Sequence, residues 1–181
     1  TGVSPNEIKK ALLEANGDSE KAKELLRIWG KAVAGKKTER EARQGIIDAY
    51  IHPNLKTGVL LDIRCESDFV AKSSDFKNLA HELCLQIAAI RPLFVKDSDI
   101  PEGFLAGEIK IYKEQLKNSG KPEKILRQIV EEKLKNYKES ISLLSQPWIK
   151  DDSKKIKSLV EEVVSKVGEK IEVKRFTIYD I

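Results

Sequence analysis

A strand pattern that gives way to a helix pattern within a few residues constrains this chain most. Every second residue from Val59 to Cys65 is apolar, with Asp62 and Arg64 among the residues between them. Such alternation is typical of a strand with one buried face. Farther on, apolar residues recur three or four positions apart, as on one face of a helix: Phe76, Leu79, Leu83, Ile87 and Ile90. The segment between them must therefore turn a strand into a helix.

The turn between the two patterns contains a small hydroxyl residue, an acid and an aromatic ring. Ser67 suits the N-cap of the helix, and Asp68 follows in the first turn, where the helix dipole favours a carboxylate. Phe69 lies off the later apolar stripe. An exposed ring forgoes about 1.5–3 kcal/mol of burial unless another surface receives it. Two interpretations remain open: Phe69 staples the helix entrance to the core, or it binds a partner.

Two further strands accompany the first one. Residues 46–51 and 59–65 flank the turn-forming stretch 52–58, which predicts an antiparallel hairpin. Residues 171–181 read as a third strand. Its apolar phase shifts between Val173 and Phe176, which indicates a bulge or a strand covered on both faces.

Helical patterns fill most of the rest. We expect helices over 4–15, 18–29, 108–116, 122–144 and 153–167, with Ser4, Asp18 and Ser153 as N-caps. Gly30 and Gly168 are expected ends, and 31–45 is expected to be a partly helical linker. Strands and helices segregate along the chain, so the predicted class is α+β, with a small antiparallel three-stranded sheet packed with helices. The predicted domains are a helical module with its linker at 1–45 and an α+β core at 46–181.

Composition narrows the class of partner. The 33 basic and 29 acidic residues among 181 give a net charge of +4, which is too even to argue for nucleic acid. Apolar runs stay far below the roughly 20 residues of a membrane span. Cys65 and Cys84 read as small buried residues of a reducing compartment. We expect a soluble protein of the cytoplasm, or of an organelle after processing.

The sequence shows no pattern of an active site. His52 and His81 lack cysteines or carboxylates at metal-ligand spacing. Asp151 and Asp152 could be imagined as a metal pair, but an acid pair just before a predicted helix favours a cap. No glycine-rich loop leads into Lys-Ser or Lys-Thr, so we expect no bound nucleotide phosphate. The chain is expected to be no enzyme and to need no cofactor or metal.

The turn motif and several other segments resemble one family. Ser67-Asp68-Phe69-Val70-Ala71-Lys72, after a strand ending in Cys-Glu, is similar to the Thr-Asp-Phe-Val-Ala-Lys motif of the elongation factor Ts family. The other similar segments follow in the family's order: Thr1-Gly2, Lys9-Lys10-Ala11-Leu12, Gly17-Asp18-Ser19-Glu20-Lys21-Ala22, Gly120-Lys121-Pro122, Leu144-Ser145-Gln146-Pro147-Trp148, Lys150-Asp151-Asp152-Ser153 and Arg175-Phe176. The resemblance therefore extends over essentially the whole chain.

The resemblance implies a fold and a set of contacts. The N-terminal helices would belong to a three-helix module like a ubiquitin-associated domain, whose first helix would precede Thr1. Asp68 and Phe69 match the pair that acts on the family's partner GTPase, within the motif Ser67–Lys72. The N-terminal contact would fall on Pro5, Asn6, Ile8 and Lys9, with Pro5-Asn6 standing where the family often has two apolar residues.

The resemblance also implies a function. The chain would bind the GTPase elongation factor Tu in its GDP form, disturb the magnesium and phosphate site, and promote GDP release without holding nucleotide itself. With room for a single core, it would form a homodimer or a two-to-two complex with the GTPase. The expected location is the bacterial cytoplasm, or an organellar matrix. A protein-binding adaptor is the alternative, and an RNA-binding protein ranks third because its 11 aromatic residues do not interleave with a basic strand.

Overall fold

The computed structural model describes residues 5–37, 41–117 and 122–181, and the chain divides into two compact units. The first unit comprises the residues up to Ala88 together with Lys157–Ile181, and the second comprises Ala89–Ile156. The helices are α1 Pro5–Glu14, α2 Ser19–Lys37, α3 Asp68–Lys72, α4 Ser74–Ile90, α5 Glu102–Leu116, α6 Glu123–Ile141 and α7 Ile156–Val167. The strands are β1 Gln44–Ile51, β2 Thr57–Cys65, β3 Pro147–Trp148, β4 Asp151–Lys155 and β5 Ile171–Asp180. A domain boundary at residue 45 stays a prediction.

The main sheet confirms the α+β class. It has three antiparallel strands in the order β1-β2-β5. Asp62 pairs with Arg175 and Ile63 with Val173, so Lys174 is an extra residue in β5. This irregularity is a bulge, one of the two explanations that the phase shift of the sequence allows, and it lets Val173 and Phe176 contribute to the same face.

One face of the sheet is buried. Val59, Leu61, Ile63 and Cys65 are almost completely inaccessible to solvent. Tyr50 pairs with Val59 and contacts the ring of His81 on α4. Helix α4 therefore lies on this side of the sheet. Its apolar stripe is buried as predicted from Phe76 to Ile87, whereas Ile90, the last residue of the helix, is 47% exposed. The opposite, outward face carries the exposed apolar side chains of Ile47, Ile51, Leu60 and Tyr179.

Helices α1 and α2 form a hairpin with a small core of its own. Its buried residues are alanines, Ala11, Ala15 and Ala22, packed against Leu25, Leu26 and Trp29. Asp18 caps α2 as predicted, accepting hydrogen bonds from the N–H groups of Glu20 and Lys21. The expected end at Gly30 is wrong, because α2 continues to Lys37. The expected cap Ser4 lies outside the described residues.

The second unit is built around α5 and α6. Ile100, Leu105 and Ile141 form its buried cluster, and Phe94 and Tyr137 pack against it. The N–H groups of Leu93 and Phe94 donate to the carbonyl of Ile141, which ties the segment before α5 to the end of α6. Among the described helices of both units, none has the length and apolar character needed to cross a membrane.

The cap predicted at Ser153 is wrong. Residues 151–155 form β4, which pairs with β3 in a small hairpin, and α7 begins only at Ile156. The N–H of Ile156, the first residue of α7, donates to the carbonyl of Gln146 at 2.9 Å. A backbone carbonyl, rather than a side-chain cap, therefore satisfies this N–H at the start of the helix. The acid pair Asp151-Asp152 accordingly lies in a strand rather than at a helix N-terminus.

Candidate functional site

The site begins at the corner where β2 ends and α3 starts. Ser67 has extended backbone angles and its hydroxyl accepts a hydrogen bond from the N–H of Val70 at 3.3 Å. This is the N-cap geometry that the sequence predicts. Asp68 occupies the first turn, and α3 contacts both β1 and β2.

The helix that follows is interrupted, which the sequence pattern does not indicate. Ser73 separates α3 from α4: its hydroxyl donates to the carbonyl of Val70 at 2.7 Å and accepts from the N–H of Phe76 at 3.3 Å. One side chain thus ends the first helix and caps the second. As a result α3 is a separate helix of five residues, which ends at the extended backbone of Ser73.

Phe69 points into solvent. Within α3, Val70 and Ala71 are buried, whereas 84% of Phe69 is exposed. Phe76, seven residues later, is completely buried. The structure therefore rules out the interpretation of Phe69 as a core staple, while its role in binding a partner stays a prediction.

Two charged residues flank the exposed ring. Lys72 donates a hydrogen bond to the carboxylate of Asp68 one turn earlier in α3, and both side chains are largely exposed. Exposed pairs of this kind contribute at most about 1 kcal/mol. The carboxylate can therefore leave Lys72 at little cost. All six residues of the motif Ser67–Lys72 lie at one corner, with Asp68, Phe69 and Lys72 on its outer surface.

Glu169, which no sequence pattern singles out, holds this corner in place. The carboxylate of Glu169 accepts hydrogen bonds from the N–H of Ser67 at 2.9 Å and from its hydroxyl at 2.6 Å. In turn the carboxylate of Glu66 accepts from the N–H of Lys170 at 2.6 Å. Glu169 stands 102 residues from Ser67 in the sequence, so no local pattern could have revealed the contact.

The predicted N-terminal contact residues lie on α1. Asn6 and Lys9 are exposed and Ile8 is half-buried; Pro5 begins the helix. Ile8 and Lys9 line a shallow depression together with Leu12, Leu13, Asn16 and Gly17. Leu12 is exposed, because α2 covers the side of α1 that carries the alanines.

The two cysteines are buried and unpaired, as expected. Burial raises the pKa of the Cys65 thiol to about 11 and that of Cys84 to about 12. Thiols with such pKa values hold almost no thiolate near neutral pH and are poor nucleophiles. Neither cysteine is a candidate for chemistry.

The two histidines meet at a single aromatic ring. Tyr50 lies edge-on to His52 and to His81, and its hydroxyl is 3.0 Å from Nδ1 of His52. No group of three or more histidine, cysteine or acidic side chains is arranged to hold a metal ion in the described ranges 5–37, 41–117 and 122–181.

The matches to known proteins extend over essentially the whole chain. A family model described as Elongation factor TS matches residues 6–181. A protein named elongation factor Ts from Thermotoga petrophila is 49% identical over 181 residues, which are all of this chain and 90% of the relative. Proteins of the same name from Coprothermobacter proteolyticus and Moorella thermoacetica are 50% and 45% identical. These matches cover 97% and 100% of this chain, and 89% of each relative.

Proposed function

The chain belongs to the elongation factor Ts family, and from this premise we propose that it releases GDP from elongation factor Tu through the exposed side of α3. The family's role is guanine nucleotide exchange on that GTPase during translation elongation. Exchange makes and breaks only non-covalent contacts, so the protein acts by binding rather than as a catalyst of a chemical reaction.

Exchange requires a difference in affinity. A protein that releases GDP must bind the nucleotide-free GTPase more tightly than the GDP-bound one, and linkage makes the weakening mutual. Each tenfold of weakening needs about 1.4 kcal/mol of differential binding. A suitable contact is therefore one that forms fully only when the nucleotide has left.

The exposure of Phe69 is the main support for this proposal. Phe69 is 84% exposed, although the next two residues of the same helix are buried. Transfer of such a ring from water into an apolar pocket yields about 1.5–3 kcal/mol. That free energy corresponds to about 10- to 100-fold of nucleotide weakening if the pocket opens only in the nucleotide-free GTPase.

Asp68 stands beside the ring and would act on the magnesium region. Its carboxylate is held by the exposed Lys72. A carboxylate brought near a bound magnesium ion competes with the phosphate oxygens that hold it. We propose that Asp68 disturbs the magnesium and phosphate site while Phe69 occupies an apolar pocket of the GTPase domain.

The N-terminal hairpin is proposed as an anchor. Pro5, Asn6, Ile8 and Lys9 stand at the start of α1, where Ile8 and Lys9 border an apolar depression. The fold of α1 and α2, with its small alanine core, is compatible with a module like a ubiquitin-associated domain. We propose that this module adds affinity for the GTPase and takes no part in displacing GDP.

The outward face of the sheet supports a dimer. The register places four exposed apolar residues on this face: Ile47 and Ile51 of β1, Leu60 of β2 and Tyr179 of β5. A small sheet with one apolar face in water is poorly stabilised unless that face is covered. We propose that a second copy covers it, giving a homodimer or a two-to-two complex with the GTPase. The proposed location is the bacterial cytoplasm, since the named relatives are bacterial translation factors.

The test is release of a labelled nucleotide. Elongation factor Tu loaded with fluorescent GDP is mixed with excess unlabelled GDP and a small amount of this chain. An exchange factor accelerates the loss of fluorescence at less than one chain per GTPase, because each molecule acts repeatedly. An adaptor that binds without exchange, or an RNA-binding protein, leaves the spontaneous rate unchanged, and either result would overturn the proposal.

A further inference from the structure

We propose that Glu169 is a positioning residue for exchange: its carboxylate fixes the start of α3 and thereby the direction in which Phe69 is presented. The proposal rests on the exchange function argued above. It assigns a role to the turn between α7 and β5, which contains no residue of the exchange motif and lies 102 positions from Ser67.

The carboxylate of Glu169 accepts two hydrogen bonds from Ser67. Oε2 of Glu169 accepts the N–H of Ser67 at 2.9 Å, and Oε1 accepts its hydroxyl at 2.6 Å. Hydrogen bonds to an ionised acceptor are shorter and stronger than those between neutral groups. The N–H and the hydroxyl of the N-cap residue are thereby fixed in direction.

The hydroxyl passes this constraint into the helix. Because the hydrogen of Ser67 Oγ points at Glu169, its lone pairs are left for the N–H of Val70, which donates to it at 3.3 Å. Bonds linked in this way polarise and strengthen one another. The link Glu169–Ser67–Val70 ends next to the exposed ring.

A second hydrogen bond joins the turn between β2 and α3 to the turn between α7 and β5. The carboxylate of Glu66, the residue before the cap, accepts the N–H of Lys170 at 2.6 Å. Gly168 permits the sharp exit from α7 with a φ of 80°, in the left-handed region that favours glycine. Each turn thus supplies a carboxylate to the backbone of the other.

Positioning matters because α3 is short. Five residues form little more than one helical turn, which is not stable by itself. Without Glu169 the N–H of Ser67 loses its acceptor, and the start of the helix gains freedom that must be lost again when Phe69 enters its pocket. This cost weakens the nucleotide-free complex, in which Phe69 is in its pocket. The first encounter with the GDP-bound GTPase is not affected.

The test compares Glu169→Ala with the charge-matched control Glu161→Ala on α7, using the full chain and fluorescent GDP on elongation factor Tu. We expect Glu169→Ala to lower the maximal rate of GDP release by about tenfold, while the chain concentration at half-maximal rate changes by less than about threefold. Glu169→Gln keeps one acceptor and should give an intermediate rate. Glu161→Ala should match the wild type.

A double variant separates positioning from general damage. In a Phe69→Ala background, Glu169→Ala should slow release no further, because the residue through which it acts is already gone. If Glu169→Ala fails to fold, as judged by its melting curve, Glu169→Gln takes its place in both comparisons.

Three outcomes decide the matter. A wild-type rate for the Glu169 variants would overturn the positioning role and leave the exchange function intact. An equal further slowing in the Phe69→Ala background would also overturn it, since Glu169 would then act elsewhere. A wild-type chain that fails to accelerate release at all would instead refute the exchange function itself.

Discussion

Phe69 and Phe76 carry the same ring in opposite surroundings. Phe76 is completely buried at the start of α4, whereas Phe69 is 84% exposed on α3. The break at Ser73 produces this contrast, because it ends one helix and starts another between the two rings. At the scale of single residues, one phenylalanine therefore serves the core and the other is available to a partner.

Asp68→Asn should slow GDP release by less than the loss of the Phe69 ring does. The amide keeps the shape of the side chain and loses the charge that is proposed to act on the magnesium region. We expect a reduction of several-fold, below the roughly 10- to 100-fold for the ring. Stopped-flow release of fluorescent GDP measures it, with Asp152→Asn, an exposed acid of the other unit, as the control. Equal rates for Asp68→Asn and the wild type would remove the acid from the mechanism.

Asp62 should make stability depend on pH in acid. Hydrogen bonds from Arg64 lower the pKa of this carboxyl in the folded protein, against a smaller opposing effect of burial. Its stabilising contribution is therefore complete above the unfolded pKa of about 3.9 and is lost as pH falls through the lower folded pKa. Asp62→Asn should be less stable than the wild type at pH 7, and the difference should shrink below about pH 4. Urea unfolding at several pH values tests this; a difference that stays constant would contradict it.

Among the elements, those with a strong local pattern were predictable. The three main strands, the irregularity in β5 and the stripe of α4 follow from alternation and helical spacing, because one buried face imposes them. The hairpin of β3 and β4 did not follow, since its pairing and the start of α7 depend on the carbonyl of Gln146 and other non-local contacts. The corner at Ser67 was predictable as a cap, but Glu169 was not, because 102 residues intervene.

Two glycines should respond in opposite ways to alanine. In β1, Gly45 has a φ of 152°, and a Cβ there would lie 2.1 Å from the carbonyl oxygen of Ile63. We expect Gly45→Ala to lower the free energy of unfolding by at least about 1–3 kcal/mol. Gly107, exposed within α5, has open space around it, so Gly107→Ala should raise that free energy by about 0.5–1 kcal/mol. Denaturation curves that place both variants on the same side of the wild type would contradict the strain assigned to β1.

At the scale of the whole molecule, the outward face of the sheet should govern assembly. Ile47 and Ile51 are each 62% exposed on β1, beside Leu60 of β2. We expect light scattering to give twice the mass of one chain for the wild type, and the mass of one chain for Ile47→Glu. Ile111→Glu, at an exposed apolar residue of α5, serves as the control and should remain dimeric. A wild type with the mass of one chain at high concentration would refute the dimer.

If the exposed ring on α3 drives nucleotide release, Phe69→Ala and Phe76→Ala should fail in different ways, and a paired measurement on the two variants decides it. For each variant the melting temperature and the rate of GDP release from elongation factor Tu are measured together. Phe76→Ala should lose about 3–5 kcal/mol of stability through the cavity that it leaves. Phe69→Ala should melt close to the wild type and release GDP about 10- to 100-fold more slowly. A Phe69→Ala chain that melts as low as Phe76→Ala, or that releases GDP at the wild-type rate, would show that this ring does not drive exchange.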